Sequence, residues 1–316
     1  MTYSEKYKKL QYSLKREASD AGINKTLVAL SGGADSVATV LLLNKLGLVK
    51  KALHCNFHLR GEESNSDSRF VENFCQIQQL PLEIKEFDVE GYLKKNKGKS
   101  IEMACRELRY EWFETKLSEL GADRIVTGHN SDDNIETLFL NLLRGSGTRG
   151  LKGMLRDSGK IWRPLLDLSR EEILEYLMLE NQTFVTDSTN LESDYRRNYL
   201  RNQIFPLLRK EWKGFDNAIR RSISNLYSEN LIVEDSLSKA LPEESLTITA
   251  DEILEFPAPL LLIKRFIEKA GPFTTTPKEI LAAINAEKPH IRRWRLKKGS
   301  VILRNRNLFI EMGHCE

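Results

Sequence analysis

The chain has 316 residues, 41% of them hydrophobic and 29% charged, and 48 Lys and Arg against 45 Asp and Glu give a formal charge of +3. That length fits about two domains with ample core, and the ordinary apolar content excludes a disordered chain. So small a charge leaves any nucleic-acid contact to local basic clusters.

The spacing predicts an amphipathic helix over residues 4–20. Residues 26–30 form a short apolar run and read as a buried strand. Ser31-Gly32-Gly33 then turns the chain into a helix over 35–46. A second strand is expected over 49–56, a helix over 63–79, a third strand over 82–87 and a long helix over 100–120. A fourth strand follows over 124–128, a helix over 132–143 and a fifth strand over 161–163. Strands alternating with helices predict an α/β fold, a doubly wound, mostly parallel sheet covered on both faces. Such sheets bind ligands beyond the carboxyl ends of their strands. Further helices are expected over 169–180, 194–209 and 217–240. Leu241-Pro242-Glu243-Glu244 reads as the end of a linker. Residues 245–316 read as a smaller α+β carboxy-terminal domain, with short strands over 246–249, 300–304 and 308–311 and two helices. The expected division is therefore 1–215 and 216–316.

Ser31-Gly32-Gly33-Ala34-Asp35-Ser36 joins the first strand to a helix. Two glycines let the backbone turn tightly against a ligand. The helix behind them offers free N–H groups and its positive dipole end, and Ser31 and Ser36 add hydroxyls. Together these make an anion cradle suited to a pyrophosphate. A carboxylate at Asp35 would repel phosphate unless a cation lay between, which points to Mg²⁺ there. A glycine turn with Asp35 as helix cap is the plainer alternative. No Gly-Lys-Ser/Thr follows, so this is not a Walker A loop. It resembles the PP-loop of the ATP pyrophosphatases, which implies cleavage of ATP between its α and β phosphates and adenylation of a substrate oxygen.

Alternation along the second strand puts His54, Asn56 and His58 on one side. With Arg60 they are expected to line the nucleotide pocket rather than to bind a metal. Glu102, Arg106 and Arg109 share one helix face. Residue types leave open an exposed salt bridge or a two-arginine grip on phosphate. Gly128-His129-Asn130-Ser131-Asp132-Asp133 leads from the fourth strand into a helix, with Asp133 and Glu136 on one face at its start. A capping box would explain one acid, and three are present. A carboxylate pair there suits a substrate ammonium or a metal. Arg144-Gly145-Ser146-Gly147 closes that helix, either as a basic loop over phosphates or as a glycine stop.

Taken in order, these strings resemble the tRNA(Ile)-lysidine synthetases. Arg163-Pro164-Leu165, Asp187-Ser188-Thr189-Asn190 and Arg197-Asn198…Arg201…Pro206-Leu207 extend the match. Each motif is common alone, and the ordered set is specific. The likeness covers residues 22–210 and is looser over 211–316. It implies a carbon–nitrogen ligase with ATP and Mg²⁺ as cofactors. ATP would adenylate the 2-oxygen of the wobble cytidine of a tRNA(Ile) with a CAU anticodon, and the ε-amine of free L-lysine would then displace AMP to give lysidine. Carried over by residue, Ser31, Gly32, Gly33, Ala34, Asp35 and Ser36 hold the phosphates. His54, Arg60, Gly128, His129 and Arg144 belong to the nucleotide site, and Arg106 and Arg109 contact phosphate or the adenylated base. Asp133 and Glu136 hold the lysine. The family often places a second histidine three residues after the first, where this chain has Phe57. Longer members carry a further carboxy-terminal domain, so the chain reads as a short or truncated form. Self-association as a homodimer is left open.

For the tRNA, one basic group is Arg196, Arg197 and Arg201 on a predicted helix. Another is the acid-free run 288–306, with Arg292, Arg293, Trp294, Arg295 and Lys297. Basic side chains around a tryptophan suit an RNA backbone and one stacked base, and a solvated hairpin edge is the alternative. Cys55, Cys75, Cys105 and Cys315 form no C-x-x-C pair, which argues against a sulfur-transferring relative and fits a reducing cytoplasm. A non-catalytic, ATP-binding RNA-binding protein would not need the acids at 133 and 136. The most apolar stretch, 26–44, is cut by Gly32-Gly33 and Asp35, so no membrane span is expected, and residues 1–6 have no basic flank leading into an apolar core, so no signal peptide is expected.

Overall fold

The computed structural model describes residues 3–186, 195–271, 277–286, 291–296 and 298–312. The chain divides into two compact units, Met1–Ser224 and Asn225–Glu316.

In the first unit α1 (Tyr3–Asp20) precedes β1 (Thr26–Ala29), α2 (Ala34–Lys45), β2 (Val49–Asn56), α3 (Glu62–Ile77) and β3 (Leu82–Glu86). Then come α4 (Val89–Lys95), α5 (Ile101–Leu120), β4 (Arg124–Val126), α6 (Ser131–Leu143), α7 (Thr148–Leu151), β5 (Ile161–Trp162) and α8 (Arg170–Leu179). The helix expected over 194–209 is instead α9 (Tyr195–Tyr199) and α10 (Phe205–Glu211), joined by a π-helical stretch, Leu200–Ile204. Residue 194 and the string Asp187-Ser188-Thr189-Asn190 lie outside the described residues.

The sheet order is β3-β2-β1-β4-β5, and every neighbouring pair is parallel. Strand period two sorts the core onto two faces. Val28, Leu30 and Val126 pack with Val37, Val40, Phe74 and Tyr176 on one side. Leu27, Leu53 and Ile125 pack with Trp112 and Phe113 of α5 on the other. This is the doubly wound α/β fold. The order reverses at β1, with β2 and β4 as its neighbours, and that is where such sheets bind ligands.

α11 (Phe215–Ala240) carries the chain past the division at Ser224/Asn225. The second unit holds β6 (Thr247–Thr249), α12 (Ala250–Glu255), α13 (Pro259–Glu268), α14 (Pro277–Ile284), β7 (Arg292–Leu296), β8 (Gly299–Arg304) and β9 (Asn307–Met312). Its antiparallel sheet runs β6-β9-β8-β7 over a core of Leu237, Leu262, Phe266, Ile280, Val301 and Leu308. Leu241 is buried in that core, and residues 242–244 are exposed. Beyond residue 245 three helices form among the described residues where two were expected. α12 is the short addition, started by a Thr249–Glu252 capping box.

Candidate active site

The first unit builds its site from the β1–α2 and β4–α6 loops. Gly32 has φ +93°, a conformation natural only to glycine, and a Cβ there would come 3.2 Å from Val185. Val185 also donates its N–H to the Gly32 carbonyl at 2.9 Å, strapping the loop from outside. Within the loop the Ser31 amide donates to Ser36 Oγ at 3.2 Å, and Ser36 Oγ donates to the Gly33 carbonyl at 2.9 Å. The two serine hydroxyls lie 3.1 Å apart. These bonds run within the loop, and Gly33 is the N-cap of α2 with no side-chain cap. That leaves the helix's first amide groups for an external anion.

Gly128 explains how the second loop comes so close. A Cβ on it would lie 2.9 Å from the Asp35 carbonyl carbon and oxygen and 3.0 Å from the Ser36 nitrogen. Asp35 itself is mostly buried, and burial raises its carboxyl above the usual range against the pull of Arg170. Its Oδ2 accepts from Arg170 at 3.1 Å, while its Oδ1 is buried without a partner. A carboxylate oxygen orphaned beside an anion cradle fits a divalent cation shared with phosphate oxygens. Among the described residues no cluster of three His, Cys, Asp or Glu could hold a metal, so Asp35 would act with ligands from the nucleotide and water.

Asp133 does cap its helix. Asn130 accepts from the Asp133 amide at 3.0 Å, and Asp133 Oδ2 accepts from the Asn130 amide at 3.1 Å. The box uses one carboxylate oxygen. Glu136 is 1% exposed and outside the box. Burial raises its carboxyl too, although Arg201 donates to it from Nε at 2.6 Å and from Nη2 at 3.0 Å. Arg201 also reaches Asp133 Oδ1 at 3.3 Å, and Arg197 Nε is 3.3 Å from Glu136. Two arginines expected on tRNA thus face the two acids, while Arg196 is exposed on α9. Sequence patterning showed the acids and the basic helix separately and had no signal for their pairing.

Arg106 and Arg109 form no ion pair among the described residues, so the Glu102–Arg106 bridge is not made. Arg106 stacks on Tyr110 at 4.9 Å and Arg109 on Phe57 at 5.4 Å. Phe57 is in turn stacked on Phe87, which gives the departure from the family pattern a use. Both arginines line a cavity of about 330 Å³ with Ser31, Asp35, His129 and Asp133. They also line an adjoining cavity of about 410 Å³ with His54, Asn56, Phe57 and Arg60.

Several expected contacts are made with protein instead. His54 Nδ1 meets the Leu30 carbonyl at 2.8 Å and Nε2 meets Ser68 Oγ at 3.1 Å, so the ring ties α3 to the end of β1. Burial lowers its pKa. Arg60 pairs with Asp67. β2 ends at Asn56, and His58 has φ +53° and lies 3.6 Å from Glu86, so it leaves the line of His54 and Asn56. Arg144 is an exposed C-cap at the far end of α6, which has 13 residues. At about 1.5 Å per residue that is about 20 Å from the site, so Arg144 is a helix stop here. His129 stays in the site, its Nδ1 2.8 Å from Thr127 Oγ1, and burial pushes its imidazole down to about 4. Sequence reasoning missed Arg170 as the partner of Asp35. Its one signal is a cation in a helix's first turn, where the dipole disfavours it.

In the second unit Arg292 and Arg295 are exposed on edge strand β7, and Arg293 pairs with Glu311 at 2.9 Å. Trp294 is partly buried against the unit's core. Lys297 lies outside the described residues.

A parallel sheet carrying this glycine loop at its reversal point defines a PP-loop, ATP-binding protein, and the PP-loop domain family matches residues 6–208. A tRNA(Ile)-lysidine synthase of Bacteroides thetaiotaomicron is 40% identical over 91% of this chain and 67% of its own length. One from Porphyromonas gingivalis is 44% identical over 78% of this chain and 54% of its own. The chain belongs to the tRNA(Ile)-lysidine synthase family, and it spans between 54% and 67% of the length of these relatives. The fold is shared with a U34-tRNA thiolase of Methanococcus maripaludis, with TM-score 0.51, 20% identity, 65% of this chain and 73% of that one. Among the described residues no helix is long and apolar enough to cross a membrane.

Proposed function

We propose that the chain works in the cytoplasm as a carbon–nitrogen ligase, joining free L-lysine to carbon 2 of the wobble cytidine of a CAU-anticodon tRNA(Ile) at the expense of ATP. One observation carries this reading: an anion cradle, two acid-free arginines and Asp133 line a single cavity, with Glu136 buried behind it. The loop 31–36 holds the ATP phosphates by amide groups and the start of α2. Asp35 Oδ1 is the atom that would hold Mg²⁺, which when bound offsets phosphate charge. Arg106 and Arg109, stacked on rings and so held in place, oppose the negative charge that builds as the cytidine oxygen attacks the α-phosphate and pyrophosphate leaves. Adenylation makes that oxygen a good leaving group. Asp133 and Glu136 then fix the lysine ε-ammonium. The raised pKa of Glu136 suits it to take the proton that the ε-ammonium must lose before the free amine attacks carbon 2 and AMP leaves with the oxygen.

The test is mass spectrometry of nucleosides from tRNA(Ile) incubated with the protein, ATP, Mg²⁺ and lysine. A lysine-bearing cytidine is expected only in the complete mixture. Unmodified cytidine in that mixture refutes the proposal. A sulfur-bearing nucleoside formed with a sulfur donor would favour the thiolase reading.

A further inference from the structure

The acid pair already holds a cation. Arg201 spends its planar fork on Glu136, at 2.6 and 3.0 Å, and touches Asp133 at 3.3 Å. Arg197 supplies a second positive charge at 3.3 Å. Two carboxylates and two guanidiniums balance. An ammonium added without any departure would leave an extra positive charge at a carboxylate only 1% exposed, which is costly. Removing Arg201 alone would leave its own charge unpaired.

Lysine resolves this at the buried pair because it brings a carboxylate with its ε-ammonium, while its α-ammonium, the net positive charge of the molecule, sits beside that carboxylate and away from Glu136. Arg201 has room beside it, since it also lines a cavity of about 800 Å³ with Arg170, Arg209 and Arg220 and with the acids Asp132, Glu171, Glu175 and Asp216, of which Asp132 and Asp216 are paired with Arg209. It sits in the π-helical stretch Leu200–Ile204, a loosely wound form that is frequent at functional sites. Its fork matches any carboxylate, and Glu136 and an amino-acid carboxylate are equivalent partners for it.

We propose that Arg201 is an exchangeable counter-ion that reads the α-carboxylate of the amino-acid substrate: it leaves Asp133 and Glu136 to the incoming ε-ammonium and pairs with the carboxylate of the same molecule. Arg197 stays on Glu136 throughout. The inference rests on lysine being the second substrate. It makes Arg201 a specificity residue, because an amine without a carboxylate displaces the guanidinium and gives it nothing in return.

Cadaverine, which is lysine without its carboxylate, is the probe. KM for lysine and for cadaverine is measured by AMP release with ATP and tRNA(Ile), for the wild type and for Arg201→Gln. Both amines are read on one preparation, so a loss of folded enzyme scales both rates and leaves the KM ratio intact. The wild type should favour lysine at least about tenfold, the effect of one charge-assisted pair. In Arg201→Gln the ratio should fall to within about threefold, with a lower KM for cadaverine than in the wild type. An unchanged ratio, or a wild type indifferent to the carboxylate, overturns the inference while lysine ligation stands. Wild-type protein that releases AMP with neither amine overturns both. If Arg201→Gln is inactive, Arg201→Lys decides. It keeps the charge and loses the fork, so a smaller but clear fall in the ratio is expected, and no fall overturns the inference.

Discussion

Replacing Gly128 with alanine should cripple the phosphate site while the first unit stays folded. The new Cβ would lie 2.9 Å from the Asp35 carbonyl carbon and oxygen and 3.0 Å from the Ser36 nitrogen. Carbon contacts settle at about 3.5–4.0 Å, so the start of α2 must retreat by about 0.5–1 Å. The obstructing atoms are backbone, and no rotamer change relieves them. Overpacking on this scale costs about 1–3 kcal/mol of stability. A displacement of about 1 Å at a reacting centre costs about a hundredfold in rate. The loop amides and Asp35 move together, so both ATP affinity and pyrophosphate release should suffer, the release by at least about tenfold. Titration calorimetry with ATP, tRNA-dependent pyrophosphate release and urea unfolding separate these effects. A folded Gly128→Ala protein with wild-type affinity and wild-type release would refute the argument that this contact sets the loop.

Three further expectations follow from the charges. Asp35→Asn should lower pyrophosphate release at least about a hundredfold, since the orphan oxygen loses its charge. Because burial raises the Asp35 pKa, its ionised form costs the native state stability as pH rises from the unfolded value through the folded one. The variant's urea midpoint at pH 7 should thus equal or exceed the wild type's, with any gap closing towards pH 4; a clear loss at pH 7 goes against this. His129 has the opposite sign. Its imidazole is pushed from 6.5 to about 4, so its stabilising contribution is lost as pH falls through that window. His129→Gln should therefore lose less stability between pH 7 and pH 5 than the wild type, and matching losses would show that this ring does not govern the acid limb. On edge strand β7, Arg292→Ala and Arg295→Ala should each lower the salt slope of tRNA binding by about 0.7–0.9, and an unchanged slope makes the strand a solvated edge.

The parallel sheet was legible because its strands carry their own signals. Residues 49–56 were expected as a strand and form β2 over the same span, since Ala52 and Leu53 are apolar and buried at its middle and Gly47 precedes it. The 31–36 loop was legible because the whole six-residue string, and not its two glycines alone, stands between a strand and a helix. What failed to show was pairing across long separations. Nothing at Asp35 or Arg170 announces their contact across 135 positions. Arg201 meets Glu136 from 65 positions away, because α9 and its π-helical continuation bring it there. Local chemistry misled at Arg144, where an attractive basic glycine string lies a whole helix from the site. α4 was invisible for a different reason: it has seven residues with a glycine inside, and the Asp88 cap rather than an apolar stripe starts it.

The strap on the phosphate loop has a kinetic meaning. Gly32 is bonded to Val185 and Gly128 presses on Asp35, so the loop takes its shape only when segments about 100 and 150 residues downstream have arrived. β1, the loop and α2 can form early as neighbours, yet the contacts that brace the anion cradle come only with those later segments. A nascent chain emerging amino-terminus first would carry the whole nucleotide-binding string long before it could grip a nucleotide.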